Sequence, residues 1–135
     1  MTEEENKALV RRYFEEIANE GKLSIVSEII MPEHVEDVQH LTSILHTAFP
    51  DFYIRIEDQI VEDDKVVTRF TASGTHQGIW DSPFGVFQPT GKQFQHEGIR
   101  IFQIANGRLV ETWGGADTLS QLQQLGLVHT SQTNI

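Results

Sequence analysis

Ala48-Phe49-Pro50-Asp51-Phe52-Tyr53-Ile54-Arg55-Ile56-Glu57 is where the hydrophobic period of this chain changes. Before Pro50, Val38, Leu41, Leu45, Ala48 and Phe49 recur at helical spacing. After it, Phe52, Ile54 and Ile56 alternate with Tyr53, Arg55 and Glu57, the period-two pattern of a half-buried strand. Proline disfavours helix continuation, so the switch is sharp. Helices lie before this point and strands after it, an order that indicates an α+β domain.

Working back towards the N-terminus, Pro32 stops a short helix carrying Leu23, Val26, Ile29 and Ile30. Ahead of that, Leu9, Val10, Tyr13, Phe14 and Ile17 mark a first helix. Thr2 and Glu5 form its capping box, and Gly21 of Asn19-Glu20-Gly21 is its C′ residue. Working forward, Glu62-Asp63-Asp64-Lys65 is a turn and Val66 to His76 a second strand. A loop with Gly78, Pro83, Gly85, Pro89 and Gly91 leads to a third strand from Gln93 to Ile104. Asn106-Gly107 is a hairpin signal, followed by a fourth strand from Arg108 to about Ala116. Leu119, Leu122 and Leu125 form a last short helix closed by Gly126, and 129–135 read as a loose polar tail.

The length, 135 residues, suits one domain over 1–135. There is no cysteine, which removes disulfides, thiol catalysis and thiolate metal sites. Ten Lys and Arg stand against twenty Asp and Glu, a net charge of −10. The few positive charges are scattered, so neither a phosphate backbone nor an anionic membrane is an expected partner. The start Met-Thr-Glu-Glu-Glu-Asn-Lys has no basic, apolar signal pattern, and no apolar run reaches the ~20 residues of a membrane span. The expected location is the cytoplasm.

Asn19-Glu20-Gly21 and Ala48-Phe49-Pro50-Asp51 begin a longer pattern. It continues through Gly74-Thr75-His76-Gln77-Gly78, Pro89-Thr90-Gly91-Lys92, and Ile101-Phe102 with Asn106-Gly107-Arg108. Glu111, Trp113, Asp117 and Leu122-Gln123-Gln124-Leu125-Gly126 complete it. In this order and spacing the chain resembles the SnoaL-like polyketide cyclases, over nearly its whole length. The resemblance implies a cystatin-like, nuclear-transport-factor-2-like cone: a curved antiparallel sheet wrapped around N-terminal helices, usually as a homodimer. It also implies an intramolecular aldol reaction without metal or cofactor, with an acidic residue at the end of the last strand as acid and base. Asp117 holds the matching place. Relatives have a longer stretch between the second and third helices, with a Val-Asp-His-like segment. Here Pro32-Glu33-His34-Val35-Glu36-Asp37-Val38 runs straight into the helix, so roughly a strand's worth of chain is absent and the usual His has no clear counterpart.

The residues themselves offer two readings of Asp117. Trp113, Gly115 and Asp117 share one strand face, where a carboxylate beside apolar walls becomes a proton shuttle. Asp117 is equally a favoured N-cap for Thr118-Leu119-Ser120. His96 and Arg100 share a face with Gly98 and Phe102; they can hold a carbonyl oxygen or enolate, or form an ordinary surface pair with an acid. Tyr13, Phe14, Phe49, His76, Trp80 and Trp113 are candidate pocket-lining residues for a hydrophobic small molecule, with plain core packing as the alternative for the aromatics. For His76 the alternative is a structural hydrogen bond to the loop that follows. His34, His40 and His46 are six apart, a rotation of about 240° per step on a helix, which is not metal-ligand spacing. Three functions stay open: an acid–base enzyme acting next to a carbonyl, a non-catalytic binder using the same pocket, and an accessory subunit whose cone is filled by its own side chains.

Overall fold

The computed structural model describes residues 1–128; the expected loose tail, 129–135, lies outside the described residues. Helix α1, Glu3–Arg12, starts as the capping box requires: Glu5 N–H donates to Thr2 Oγ1 at 3.0 Å, and Thr2 N–H to Glu5 Oε1 at 3.3 Å. It continues as a π-helical stretch, Tyr13–Asn19, and Gly21 leaves it at φ +67°. Periodicity alone predicts an unbroken α-helix here; the wider turn brings Phe14 and Ile17 into the core together. Asn19 does more than end the helix. Its side-chain carbonyl accepts from Ile54 N–H at 2.6 Å and its amide donates to Ile54 O at 2.9 Å, tying the helix end to the next strand.

Helix α2 is short, Val26–Ile29, and α3 runs from Val35 to Ala48. The strands are β1 Tyr53–Glu62, β2 Lys65–Thr75, β3 Trp80–Ser82, β4 Gly85–Phe87, β5 Gln93–Ala105 and β6 Arg108–Ala116. The main sheet has the order β1-β2-β5-β6, antiparallel throughout. Asn106 and Gly107 both take positive φ, 53° and 73°, as a two-residue hairpin with primed geometry demands. The loop expected between the second and third strands contains a small hairpin of its own, β3-β4. Helix α4, Thr118–Gln124, closes the described chain, with Gly126 at φ +75° after it.

Bulges at Ile56/Asp58 and Gln103/Ile104 bend the sheet. Its concave face carries Val66, Thr68, Phe70 and Ala72 from β2 and Phe94, Gly98 and Phe102 from β5, all buried. Phe14 enters this face, its ring centroid 5.5 Å from Phe70 and 5.7 Å from Phe102. Burial of one such side chain is worth about 1.5–3 kcal/mol, so the first helix holds the cone together from inside.

Candidate functional site

The inner face of β5 follows the strand alternation. Phe94, His96, Gly98, Arg100 and Phe102 point to the helices, while Glu97, Ile99 and Ile101 point outward. On β6 the residues paired with this inner set are Ala116, Gly114 and Thr112. Trp113 is opposite Ile101 and therefore stands on the outer face, 44% exposed. This corrects its expected place in the pocket. Alternation links Trp113 to Gly115 but says nothing about which face meets the helices.

A cavity of about 260 Å³ lies between the π-helical stretch, the start of α3 and strands β5 and β6. Its apolar wall is Tyr13, Ile30, Val38, Phe102, Leu109 and Val110. Its polar members are His34, Asp37, Glu111 and Thr112. The cavity lies beside the packed interior, where Phe14, Phe70 and Phe102 fill the concave face. Of the six candidate lining residues, only Tyr13 reaches this cavity. Phe14, Phe49 and Trp80 are core, between 0% and 5% exposed. Trp80 packs on Phe49 at 5.2 Å, at the far end of α3 from His34, so the β3-β4 hairpin is no lid over the cavity.

His76 is fully buried and structural. Thr90 N–H donates to its Nδ1 at 3.3 Å, while its own backbone pairs with Gly91 and Lys92. Since a backbone N–H can only donate, Nδ1 is the unprotonated nitrogen. Burial pushes the His76 pKa down.

Arg100 is half-buried and ion-paired to no carboxylate among the described residues; its one side-chain bond is a long contact, 3.4 Å, to Thr112 Oγ1. His96 is half-buried against the Phe94 ring, centroids 5.2 Å apart, with Nδ1 buried and unpartnered. Burial lowers its pKa, opposed in part by a hydrogen bond with the Glu97 backbone and by the charge of Asp117. Asp117 follows the end of β6, with its backbone N–H bonded to Glu97 O at 3.2 Å. Its side chain accepts from Ser120 N–H at 3.1 Å, which is the N-cap expected for α4. The carboxylate is exposed, and it lies with Glu97, Ile99 and Ile101 of the outer face rather than among the residues of the cavity.

The structure adds members that the sequence reading did not single out: His34, Asp37, Glu111 and Thr112 as cavity lining. His34 and Asp37 are three apart at the start of α3, a spacing that places both on one helix side. The short segment that carries them leaves β6 poorly covered. A single parallel bridge, Ile30 with Leu109, is formed along its free edge, and every residue from Glu111 to Ala116 is exposed. The β6 wall of the cavity is formed by residues 109–112, whereas Asp117 lines a separate depression with Glu97, Ile99 and Ile101. Among the described residues no group of three His, Cys, Asp or Glu side chains is arranged to hold a metal, and no helix is long and apolar enough to cross a membrane.

The family model of the SnoaL-like polyketide cyclases matches residues 8–125. None of the curated proteins matches the chain. Among solved structures, TsrD from Streptomyces laurentii is 24% identical with a TM-score of 0.84, covering 95% of this chain and 99% of its own. IdmH from Streptomyces antibioticus, a proposed polyketide cyclase, is 26% identical with a TM-score of 0.73, covering 90% and 98%. A proposed SnoaL-like cyclase from Jannaschia sp. CCS1 is 22% identical with a TM-score of 0.81, covering 94% and 95%.

Proposed function

Since the chain belongs to the SnoaL-like polyketide cyclase family, we propose that it is a cofactor-free acid–base enzyme that removes a proton next to a carbonyl of a hydrophobic small molecule. The reaction class is aldol cyclisation or isomerisation. The cavity carries this reading: an apolar, aromatic-walled space of about 260 Å³, with Arg100 on the same inner face of β5 and in contact with the lining residue Thr112. Asp117 is the acid and base, His96 the donor to the carbonyl being enolised, and Arg100 a cationic holder of developing negative oxygen. A panel of aromatic and polyketide-like ligands, first by thermal shift and then by turnover, tests it. A ligand that binds and is converted supports the reading; Asp117→Asn converting it at the wild-type rate ends it.

A second reading is a carrier or sensor using the same cavity. The exposure of Asp117 and its bond to Ser120 favour it. It predicts ligands that bind tightly and leave unchanged.

The protein is further proposed to work as a homodimer. Ile60, Val67, Ile101 and Trp113 are successive partners across all four strands, forming one apolar rung over the outer face. Ile60 is 67% exposed and the neighbouring Ile99 52%. A second copy is the partner that would cover such a stripe.

A further inference from the structure

Tyr13 opens the π-helical stretch, a local widening of the kind often found at functional sites. Its ring is fixed by Phe14 and Phe102, with centroids 5.3 and 5.4 Å away. Its hydroxyl has no hydrogen-bond partner among the described residues, yet it is not among the buried unpartnered atoms. It therefore opens onto the cavity that the residue lines. A phenol inside a protein normally finds a partner; this one is left free on the cavity wall. Burial pushes its pKa up, which keeps the proton in place, and the charge of nearby Arg100 works against that shift. Arg100 is itself without a carboxylate partner among the described residues, and its contact Thr112 lines the same cavity. A neutral donor and a cation thus lie on the same inner face, Tyr13 on the cavity wall and Arg100 against the lining residue Thr112.

We propose that Tyr13 and Arg100 together bind an anionic oxygen, a phenolate or enolate, of the hydrophobic small molecule held in this cavity. The proposal rests on the reading of this cavity as the ligand site and names the class of group it takes. Phe102, two residues from Arg100 on the same face of β5, packs on the Tyr13 ring, and Arg100 reaches Thr112 of the cavity lining.

The test is binding of 4-nitrophenol, whose absorbance separates phenol from phenolate, with 4-nitroanisole as a neutral control of similar shape. Tyr13→Phe keeps the ring packing and removes only the hydroxyl. Wild type is expected to favour phenolate over anisole despite Asp37 and Glu111 on the same wall. Tyr13→Phe should weaken phenolate binding about tenfold or more, leaving anisole binding and melting temperature unchanged. Equal phenolate affinity in wild type and Tyr13→Phe overturns the proposal, as does a wild type that binds phenolate no better than anisole. Asp117→Asn separates the two claims. If it abolishes turnover while Tyr13→Phe leaves phenolate binding intact, only the oxygen site is wrong. If it is fully active while phenolate binding depends on Tyr13, only the acid–base reading is wrong.

Discussion

Asp117 caps α4 through Ser120, and a cap needs only an acceptor, whereas a proton shuttle needs an oxygen that titrates. Asn supplies the first and not the second. Asp117→Asn should therefore leave the urea midpoint almost unchanged and lower turnover by about a hundredfold or more. Asp117→Ala should in addition cost about 1 kcal/mol of stability. His76 makes a different prediction, in pH. It is buried with its pKa lowered, so the unfolded chain binds its proton more readily than the folded one. Stability then falls as pH drops through the unfolded value of about 6.5, and the loss levels off below the folded pKa. Denaturant titrations between about pH 8 and about pH 5, the range around that histidine value, should show this slope, and His76→Gln should reduce it, leaving the part that His96, also lowered by burial, contributes. Both residues stand in motifs visible in the sequence. The cap was legible because Asp directly before Thr-Leu-Ser is a favoured N-cap, beside the equally open reading as a proton shuttle. The buried ring of His76 was not, since its partner Thr90 lies across a loop whose path no local pattern reports.

At the level of elements, β6 holds most of what could not be read in advance. Alternation along β5 correctly joined His96 and Arg100, and alternation along β6 correctly joined Trp113 to Gly115. Alternation does not say which face of β6 meets the helices. That depends on the register with β5, which the bulge at Gln103/Ile104 shifts by a residue, exchanging the faces of the strand. His34, considered only for metal-ligand spacing, and Asp37 lie in the segment where chain is missing relative to the family pattern, so no motif marks them as cavity lining. The adjacent glycines of β6 provide an internal comparison. Gly114 has φ +116°, and a Cβ there would sit 2.3 Å from Ile99 O. Gly114→Ala should destabilise by about 1–3 kcal/mol. A Cβ on Gly115 meets nothing within 4 Å, and Gly115→Ala should stay within about 0.5 kcal/mol. Equal denaturation midpoints for the two variants would contradict this strand geometry.

On the scale of the whole molecule, two surfaces of one bent sheet divide the work: the concave face encloses the cavity and the convex face carries the apolar rung. The order of helices before strands made the α+β cone readable from the period change at Pro50, while the rung needed the cross-strand register before it could be seen. Light scattering at micromolar concentration should give a dimer mass, and Trp113→Lys should shift it towards monomer by placing a charge on the rung. The central claim is that function resides in the cavity between α1, α3 and β6. Val38 lines that cavity and is only half-buried, so Val38→Trp fills the space without entering the packed core. The most direct measurement is the ligand-induced rise in melting temperature of wild type and of Val38→Trp, with the same aromatic, polyketide-like panel at saturating concentration. A ligand held at about a hundred times its dissociation constant stabilises by about 2.7 kcal/mol, a rise of several degrees. The account predicts that rise in wild type and its loss in Val38→Trp. Equal rises in both proteins, or no rise in wild type with any member of the panel, would contradict it.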